Sequence, residues 1–129
     1  MLHLVLAAAL SGLPAPVSGD FDHDGKADVA AVVEANGGYD LVVRSGDSAR
    51  GQIRVMTLKS TTLSDFYLGK AAEGVEATVC AKGLGRATDP CAVKSVTIAG
   101  DTLQFGTRES SRAVAVWADD RFQVVWLDD

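Results

Sequence analysis

Short β-patterned runs separated by turn residues constrain the fold of this chain more than any other feature. Several runs alternate polar and apolar side chains, as a half-buried strand does, and others are continuous β-branched stretches. No long stretch repeats its apolar residues with the 3.6-residue period of an amphipathic helix. The runs span residues 29–34, 39–44, 52–58, 75–80, 94–99, 102–105, 113–118 and 122–127.

Turn signals join neighbouring runs into predicted hairpins. Asn36-Gly37-Gly38 follows the first run, Gly100-Asp101 separates two later runs, and Asp119-Asp120-Arg121 joins the last two. We therefore predict an all-β domain, an antiparallel meander of about seven to eight short strands that forms a sandwich or a curled sheet. Residues 59–74 fit two descriptions, one helical turn capped by Ser64 or a long loop.

A run of regularly spaced acids precedes the first β-patterned segment. Residues 19–28 read GDFDHDGKAD. Alternate residues of a tight loop converge on one centre, and Ca²⁺ takes six to eight hard oxygen ligands. The spacing therefore predicts a calcium site. Its predicted ligands are the carboxylates of Asp20, Asp22, Asp24 and Asp28 and the backbone carbonyl of Lys26.

Neighbouring residues refine the prediction for this loop. Gly25 stands where a calcium loop reverses sharply, a conformation that glycine adopts without steric cost. His23 points outward by the alternation, so we expect a solvated loop residue rather than a ligand. An EF-hand is excluded, because Ala31 occupies the position of its bidentate glutamate and a strand pattern follows the loop directly. We expect the metal to fold the loop rather than to signal.

The segment GDFDHDGKADVAAVV, residues 19–33, resembles the calcium loop of FG-GAP (VCBS-type, integrin-like) repeats. A complete propeller is excluded, because a propeller repeats its unit around a ring and this chain holds no second DxDxDG. The chain resembles small exported bacterial proteins that carry a single loop of this type ahead of an all-β domain. Their closing segment is similar to FQVVWLDD. The resemblance implies calcium binding and export, and it implies no particular activity.

The N-terminus has the pattern of a signal peptide. Residues 2–13 are apolar and uncharged, and the run is shorter than the ~20 residues of a transmembrane helix. Small residues follow, and cleavage after Ala15 or Gly19 fits them. We predict a signal peptide over residues 1–19, a single domain over 20–129, a secreted or periplasmic location and no stable membrane insertion. No Lys or Arg precedes the apolar run, which departs from the usual signal-peptide pattern. The alternatives to a signal peptide are a buried N-terminal strand or helix, or a misassigned start codon.

Cys80 and Cys91 are the only two cysteines. An even number in a small exported domain favours a disulfide, and two free buried thiols are the alternative. Zinc is improbable, because two cysteines and two distant histidines do not supply a four-ligand site.

The remaining composition excludes several classes of function. A net charge of -5 argues against a nucleic-acid partner, because phosphate binding needs clustered Lys and Arg. Removal of the predicted signal peptide takes His3 with it, so His23 of the acidic loop is the one histidine left to act as a base for nucleophilic catalysis. The sequence holds no phosphate-binding glycine loop, and no pair of carboxylates stands out. We therefore predict that the protein is not an enzyme. Trp117 and Trp126 lie in alternating apolar runs, so we expect core positions rather than a ligand platform.

These features predict an exported calcium-binding β domain in which the metal is structural. It would act as a binding or interaction module for an unknown protein or glycan outside the cytoplasm. The alternative is a periplasmic or secreted inhibitor or immunity-type protein against a wall-degrading enzyme such as lysozyme, because an acidic domain complements a basic enzyme.

Overall fold

The computed structural model describes residues 12–59, 63–84 and 91–128. These residues form an all-β structure with ten strands. The strands are β1 (Val17–Gly19), β2 (Asp28–Ala35), β3 (Gly38–Arg44), β4 (Gln52–Leu58), β5 (Phe66–Lys70), β6 (Gly74–Ala77), β7 (Ser95–Ile98), β8 (Leu103–Thr107), β9 (Arg112–Ala118) and β10 (Arg121–Asp128).

The strands form two four-stranded sheets and one hairpin. Sheet A has the order β1-β2-β3-β4, and sheet B has the order β10-β9-β8-β5. The hairpin consists of β6 and β7, and every pairing is antiparallel. Each sheet therefore contains a meander of strands that are consecutive in sequence, as short turns and two-residue alternation favour.

The main core lies between the two four-stranded sheets. In sheet A, Ala30 pairs with Val43, and in sheet B, Phe105 pairs with Ala113; all four are fully buried. The two inner faces thus pack as a sandwich. The buried members of this core are Phe21, Ala30, Val32, Leu41, Val43, Leu58, Leu63, Leu103, Phe105, Ala113, Ala115 and Phe122.

The β6–β7 hairpin covers part of the outer face of sheet B. Ile98 of the hairpin packs there with Val114 and Leu127, and all three are buried. At the margin, Arg112 of β9 makes a bidentate ion pair with Glu76 of β6, with contacts of 2.8 and 2.6 Å. A small second core and a charged clamp therefore hold the hairpin on the sheet.

The all-β prediction is confirmed, and the structure adds two strands to the eight predicted runs. β1 lies within the predicted signal peptide. β5 lies within residues 59–74, where the sequence fits either one helical turn or a long loop. Leu68 of β5 pairs with Phe105 of β8. Ser64 belongs to the turn that precedes β5, in which the Phe66 amide bonds the Leu63 carbonyl at 3.1 Å. Residues 60–62 lie outside the described residues.

The hairpin predicted at Gly100-Asp101 is wrong. β7 pairs with β6, whereas β8 pairs with β5 and β9, so the chain crosses from the hairpin to sheet B at this turn. Gly100 has a φ of +68°, as expected of a turn glycine, and the Asp101 side chain bonds the acidic loop instead. The other two predicted turns do close hairpins, between β2 and β3 and between β9 and β10.

The disulfide prediction is confirmed. Cys80 and Cys91 are bonded, with their Cα atoms 5.5 Å apart. The strand predicted to reach Cys80 ends earlier, at Ala77. Thr78 still bonds the facing segment, through its amide to the Lys94 carbonyl at 3.1 Å and through its hydroxyl to the Val93 carbonyl at 2.7 Å, and a turn begins at Val79.

The predicted signal peptide is only partly within the described residues, because residues 1–11 lie outside them. Within its remainder, β1 pairs with β2, and Leu13 and Val17 pack against the main core. The boundary at residue 19 stays a prediction. The described ranges contain no helix that is long and apolar enough to cross a bilayer.

The two tryptophans differ in their surroundings. Trp117 packs against the main core, with its ring 4.8 Å from that of Phe122. Trp126 is 40% exposed and lies edge-on to Phe105 at 6.0 Å. The predicted core position is therefore confirmed for Trp117 and wrong for Trp126. β10 is the outermost strand of sheet B, and on its free edge the Trp126 carbonyl accepts the amide of Val79, which belongs to a turn and not to a strand.

Candidate metal centre

The acidic loop is the connection of the β1–β2 hairpin. Gly19 pairs with Asp28, so both ends of the loop are fixed by the same ladder. Gly25 has a φ of +87°, which matches the sharp reversal predicted at this position. Phe21 is fully buried in the main core and anchors the loop from within. The loop is therefore part of the sandwich rather than an appendage.

Three of its carboxylates converge. Asp20, Asp22 and Asp28 each offer an oxygen, and these oxygens lie within 4.8 Å of one another. Asp22 and Asp28 are buried, at 3% and 0% exposure, and Asp20 is half-buried. Carboxylates brought this close repel one another unless a cation or hydrogen-bond donors offset their charge.

Asp20 organises the tip of the loop. Its Oδ1 accepts the amide of Asp24 at 3.0 Å, and its Oδ2 accepts the amide of Gly25 at 3.0 Å. Its own amide donates to Oδ2 of Asp101 at 2.9 Å. Because Asp101 is separated from β8 only by Thr102, this bond ties the loop of sheet A to the entry into β8 of sheet B.

Asp28 is held by two backbone amides. The amide of Asp22 donates to Oδ2 at 3.1 Å, and the amide of Gly46 donates to Oδ1 at 2.8 Å. A Cβ at Gly46 would overlap the carbonyl oxygen of Ala27, so only glycine lets the β3–β4 loop approach this closely. The second bond therefore depends on a glycine outside the acidic loop.

The two oxygens of Asp22 have different surroundings. Oδ2 accepts the Ser45 hydroxyl at 2.9 Å and Nη1 of Arg50 at 2.8 Å. Oδ1 is buried and has no hydrogen-bond partner among the described residues. A buried carboxylate oxygen without a partner is costly, and a bound cation is one way to satisfy it.

The pKa values of the two buried acids shift in opposite directions. Burial raises the pKa of Asp28, and its two amide donors offset only part of this effect. Burial also acts to raise the pKa of Asp22, but hydrogen bonds, foremost from Ser45 and Arg50, lower it overall. Asp28 thus carries a desolvation cost that a nearby cation would reduce.

The other predicted ligands lie outside the group of three. Oδ1 of Asp24 accepts the Lys26 amide at 2.9 Å, and its Oδ2 is 4.0 Å from Nη1 of Arg50. The roles of the Asp24 carboxylate and the Lys26 carbonyl as ligands stay predictions. His23 is exposed, as predicted, and its Nε2 is 2.9 Å from the carbonyl oxygen of Asp101.

The sequence did not identify the residues that support this group from elsewhere in the chain. Ser45, Gly46 and Arg50 lie in the β3–β4 loop, and Asp101 precedes β8. Pairing of Val29 with Arg44 places the start of the β3–β4 loop beside Asp28. One sequence signal could have indicated this proximity. It is the strand register of the predicted β2–β3 hairpin, which places residues of the two strands opposite each other.

The group fits a hard divalent cation. It offers several carboxylate oxygens, including the unpartnered Oδ1 of Asp22, and oxygen is the ligand that Ca²⁺ prefers. The chain matches no protein-family model, and comparisons with curated proteins and with solved structures also find no match. The resemblance of the loop to FG-GAP repeats stays a prediction.

Proposed function

We propose that this protein is an exported binding module whose β-sandwich is stabilised by one structural calcium ion. The ion would lie among Asp20, Asp22 and Asp28, with Asp24 and the Lys26 carbonyl completing its shell. The observation that carries the proposal is the unpartnered Oδ1 of Asp22, buried beside two further carboxylates. The resemblance of the loop to FG-GAP repeats supports calcium in particular.

A structural role for the metal follows from the loop's contacts. Phe21 is in the core, and Asp20 is bonded to Asp101, which lies in the turn before β8 of sheet B. An ion at this point would hold Asp20, Asp22 and Asp28 in the positions from which they bond the β3–β4 loop and Asp101. Metal sites of extracellular modules bind Ca²⁺ with dissociation constants of about 10⁻⁴–10⁻³ M, so millimolar calcium outside a cell would fill such a site.

Calorimetric titration of the metal-free purified protein with CaCl₂ tests the metal part of the proposal. We expect one saturable site with a dissociation constant of about 10⁻⁴–10⁻³ M, and loss of binding in Asp28→Asn. Asp65→Asn removes an exposed acid from the turn before β5 and is the matched control. Absence of saturable binding to the wild-type protein would refute the calcium site.

The surface around Trp126 supports the binding part of the proposal. The indole borders a cleft of about 290 Å³ between the sheets, whose lining includes Met56, Leu63 and Phe66. Aromatic side chains that are partly exposed beside an apolar cleft are typical of ligand sites. We therefore propose this cleft as the binding surface for a protein or glycan.

Affinity capture from secreted or periplasmic material, in calcium-containing buffer, tests this surface. We expect a specific protein or glycan that is retained by the wild type and lost by Trp126→Ala. Val75→Ala alters another exposed apolar residue, on β6, and should retain the partner. Equal capture by wild type and Trp126→Ala would contradict the assignment of the cleft.

A further inference from the structure

Arg50 brings a positive charge to the candidate metal centre from outside the acidic loop. Its Nη1 donates to Oδ2 of Asp22 at 2.8 Å and lies 4.0 Å from Oδ2 of Asp24. The Arg50 side chain is 34% exposed, whereas that of Asp22 is fully buried. The guanidinium therefore lies at the rim of the carboxylate group, partly shielded from water.

The opposite side of Arg50 contacts sheet B. Its Cζ lies 5.2 Å from the centroid of the Trp117 ring, within the range of a cation–π interaction. Trp117 is itself held by an edge-on contact with Phe122 at 4.8 Å. The guanidinium thus contacts both a carboxylate and an aromatic ring, and these two contacts restrict where its charge lies.

We propose that Arg50 is a built-in cation that lowers the calcium affinity of this site. The inference rests on the proposed calcium function. A fixed positive charge bonded to a ligand carboxylate offsets part of that carboxylate's charge and repels an incoming dication. The site therefore fills only at calcium concentrations well above those that the same acids would need without Arg50.

The alternative role for Arg50 is to orient Asp22, and removal of Arg50 would then weaken calcium binding. The Ser45 hydroxyl already bonds the same oxygen of Asp22 at 2.9 Å, and the amide of Asp22 bonds Asp28 at 3.1 Å. When Arg50 is replaced, the Asp22 carboxylate thus keeps its bond from Ser45, and the Asp22 backbone keeps its bond to Asp28. For this reason, the charge of Arg50 affects the calcium affinity more than its hydrogen bond to Asp22 does.

Calorimetric calcium titrations of the full protein separate the two roles. Arg50→Gln and Arg50→Met both remove the charge, and Met keeps an apolar contact with Trp117. We expect both neutral variants to bind calcium about tenfold more tightly than the wild type. Arg50→Lys keeps the charge and should stay within about threefold of the wild type. Arg54→Gln is the matched control, because it removes an exposed arginine of β4 and should leave the affinity unchanged.

Each outcome is decisive. Unchanged or weaker binding in both neutral variants, with the wild type binding, overturns the role of Arg50 and leaves the calcium function intact. Equal tightening in Arg50→Lys also overturns it, because the effect would not depend on charge. If the neutral variants bind calcium and the wild type does not, the role of Arg50 is supported. The same result refutes the proposal that calcium fills the site of the wild-type protein. Absence of binding in every variant overturns both proposals. Circular dichroism in EDTA verifies that each variant is folded.

Discussion

The amide of Gly46 donates to Oδ1 of Asp28 across 2.8 Å, and this bond joins the β3–β4 loop to a buried acid of the β1–β2 hairpin. The bond spans 18 residues of sequence. It requires an approach so close that a side chain at Gly46 would overlap Ala27. The candidate metal centre is thus a product of two loops, although only one of them has an acidic pattern.

Gly46→Ala should destabilise the protein by about 1–3 kcal/mol, because the added Cβ meets backbone and forces the two loops apart. Urea unfolding in EDTA measures this change without a contribution from metal. Gly69→Ala is the control, since a Cβ at Gly69 meets nothing within 4 Å, and it should change the stability by less than about 1 kcal/mol. Equal stabilities of the two variants would show that the loops separate without cost.

Arg112 bonds Asp128 of β10 at 2.6 Å as well as Glu76 of β6, and this group of three charges should make stability depend on acid pH. Hydrogen bonds from Arg112 are the largest cause of the lowered pKa of both Glu76 and Asp128. A lowered folded-state pKa gives stability that is fully present above the ordinary value, 4.5 for Glu76, and is lost as the pH falls through the folded-state pKa.

Glu76→Gln should therefore lower the free energy of unfolding by about 1 kcal/mol near neutral pH, a figure that allows for partial exposure of the pair. The difference from the wild type should begin to shrink as the pH falls below the ordinary pKa of 4.5, and it should disappear as the pH falls through the lower folded-state pKa, where the wild-type carboxylate becomes protonated. Chemical unfolding at a series of pH values measures both curves. Glu34→Gln, an exposed position on β2, is the control, and parallel curves for wild type and Glu76→Gln would contradict the clamp.

The disulfide should contribute about 2–3 kcal/mol, because it closes a short loop and restricts the unfolded chain. The double variant Cys80→Ser, Cys91→Ser should lose this amount in urea unfolding. Addition of a reductant should lower the stability of the wild type to that of the variant and leave the variant unchanged. A wild type that is equally stable with and without reductant would contradict this estimate.

Local sequence patterns were sufficient to predict most of the fold and part of the candidate metal centre. The spacing of Asp20, Asp22 and Asp28 and the turn at Gly25 are properties of one contiguous segment, so the sequence alone predicted their loop. Each of the eight predicted runs overlaps a strand of the structure, because alternation and turn residues act over a few positions.

Long-range relationships were not predictable in the same way. β1 has only three residues and becomes a strand through its pairing with β2. Arg50 lies close to Asp22 because of the register between β2, β3 and β4. No local sequence pattern determines that register. Trp126 has the same alternating context as Trp117, and its exposure follows from the position of β10 at the edge of sheet B.

Thermal unfolding with millimolar CaCl₂ and with excess EDTA tests the central claim most directly, on the wild type, Asp22→Asn and Asp120→Asn. Comparing each protein with itself removes any change in stability that the substitution causes without metal. The account predicts that calcium stabilises the wild type and Asp120→Asn, an exposed acid of the β9–β10 turn, by about 1–2 kcal/mol, or several degrees in Tm. It predicts no calcium effect in Asp22→Asn. Equal melting temperatures of the wild type in calcium and EDTA, or an undiminished calcium effect in Asp22→Asn, would contradict the account.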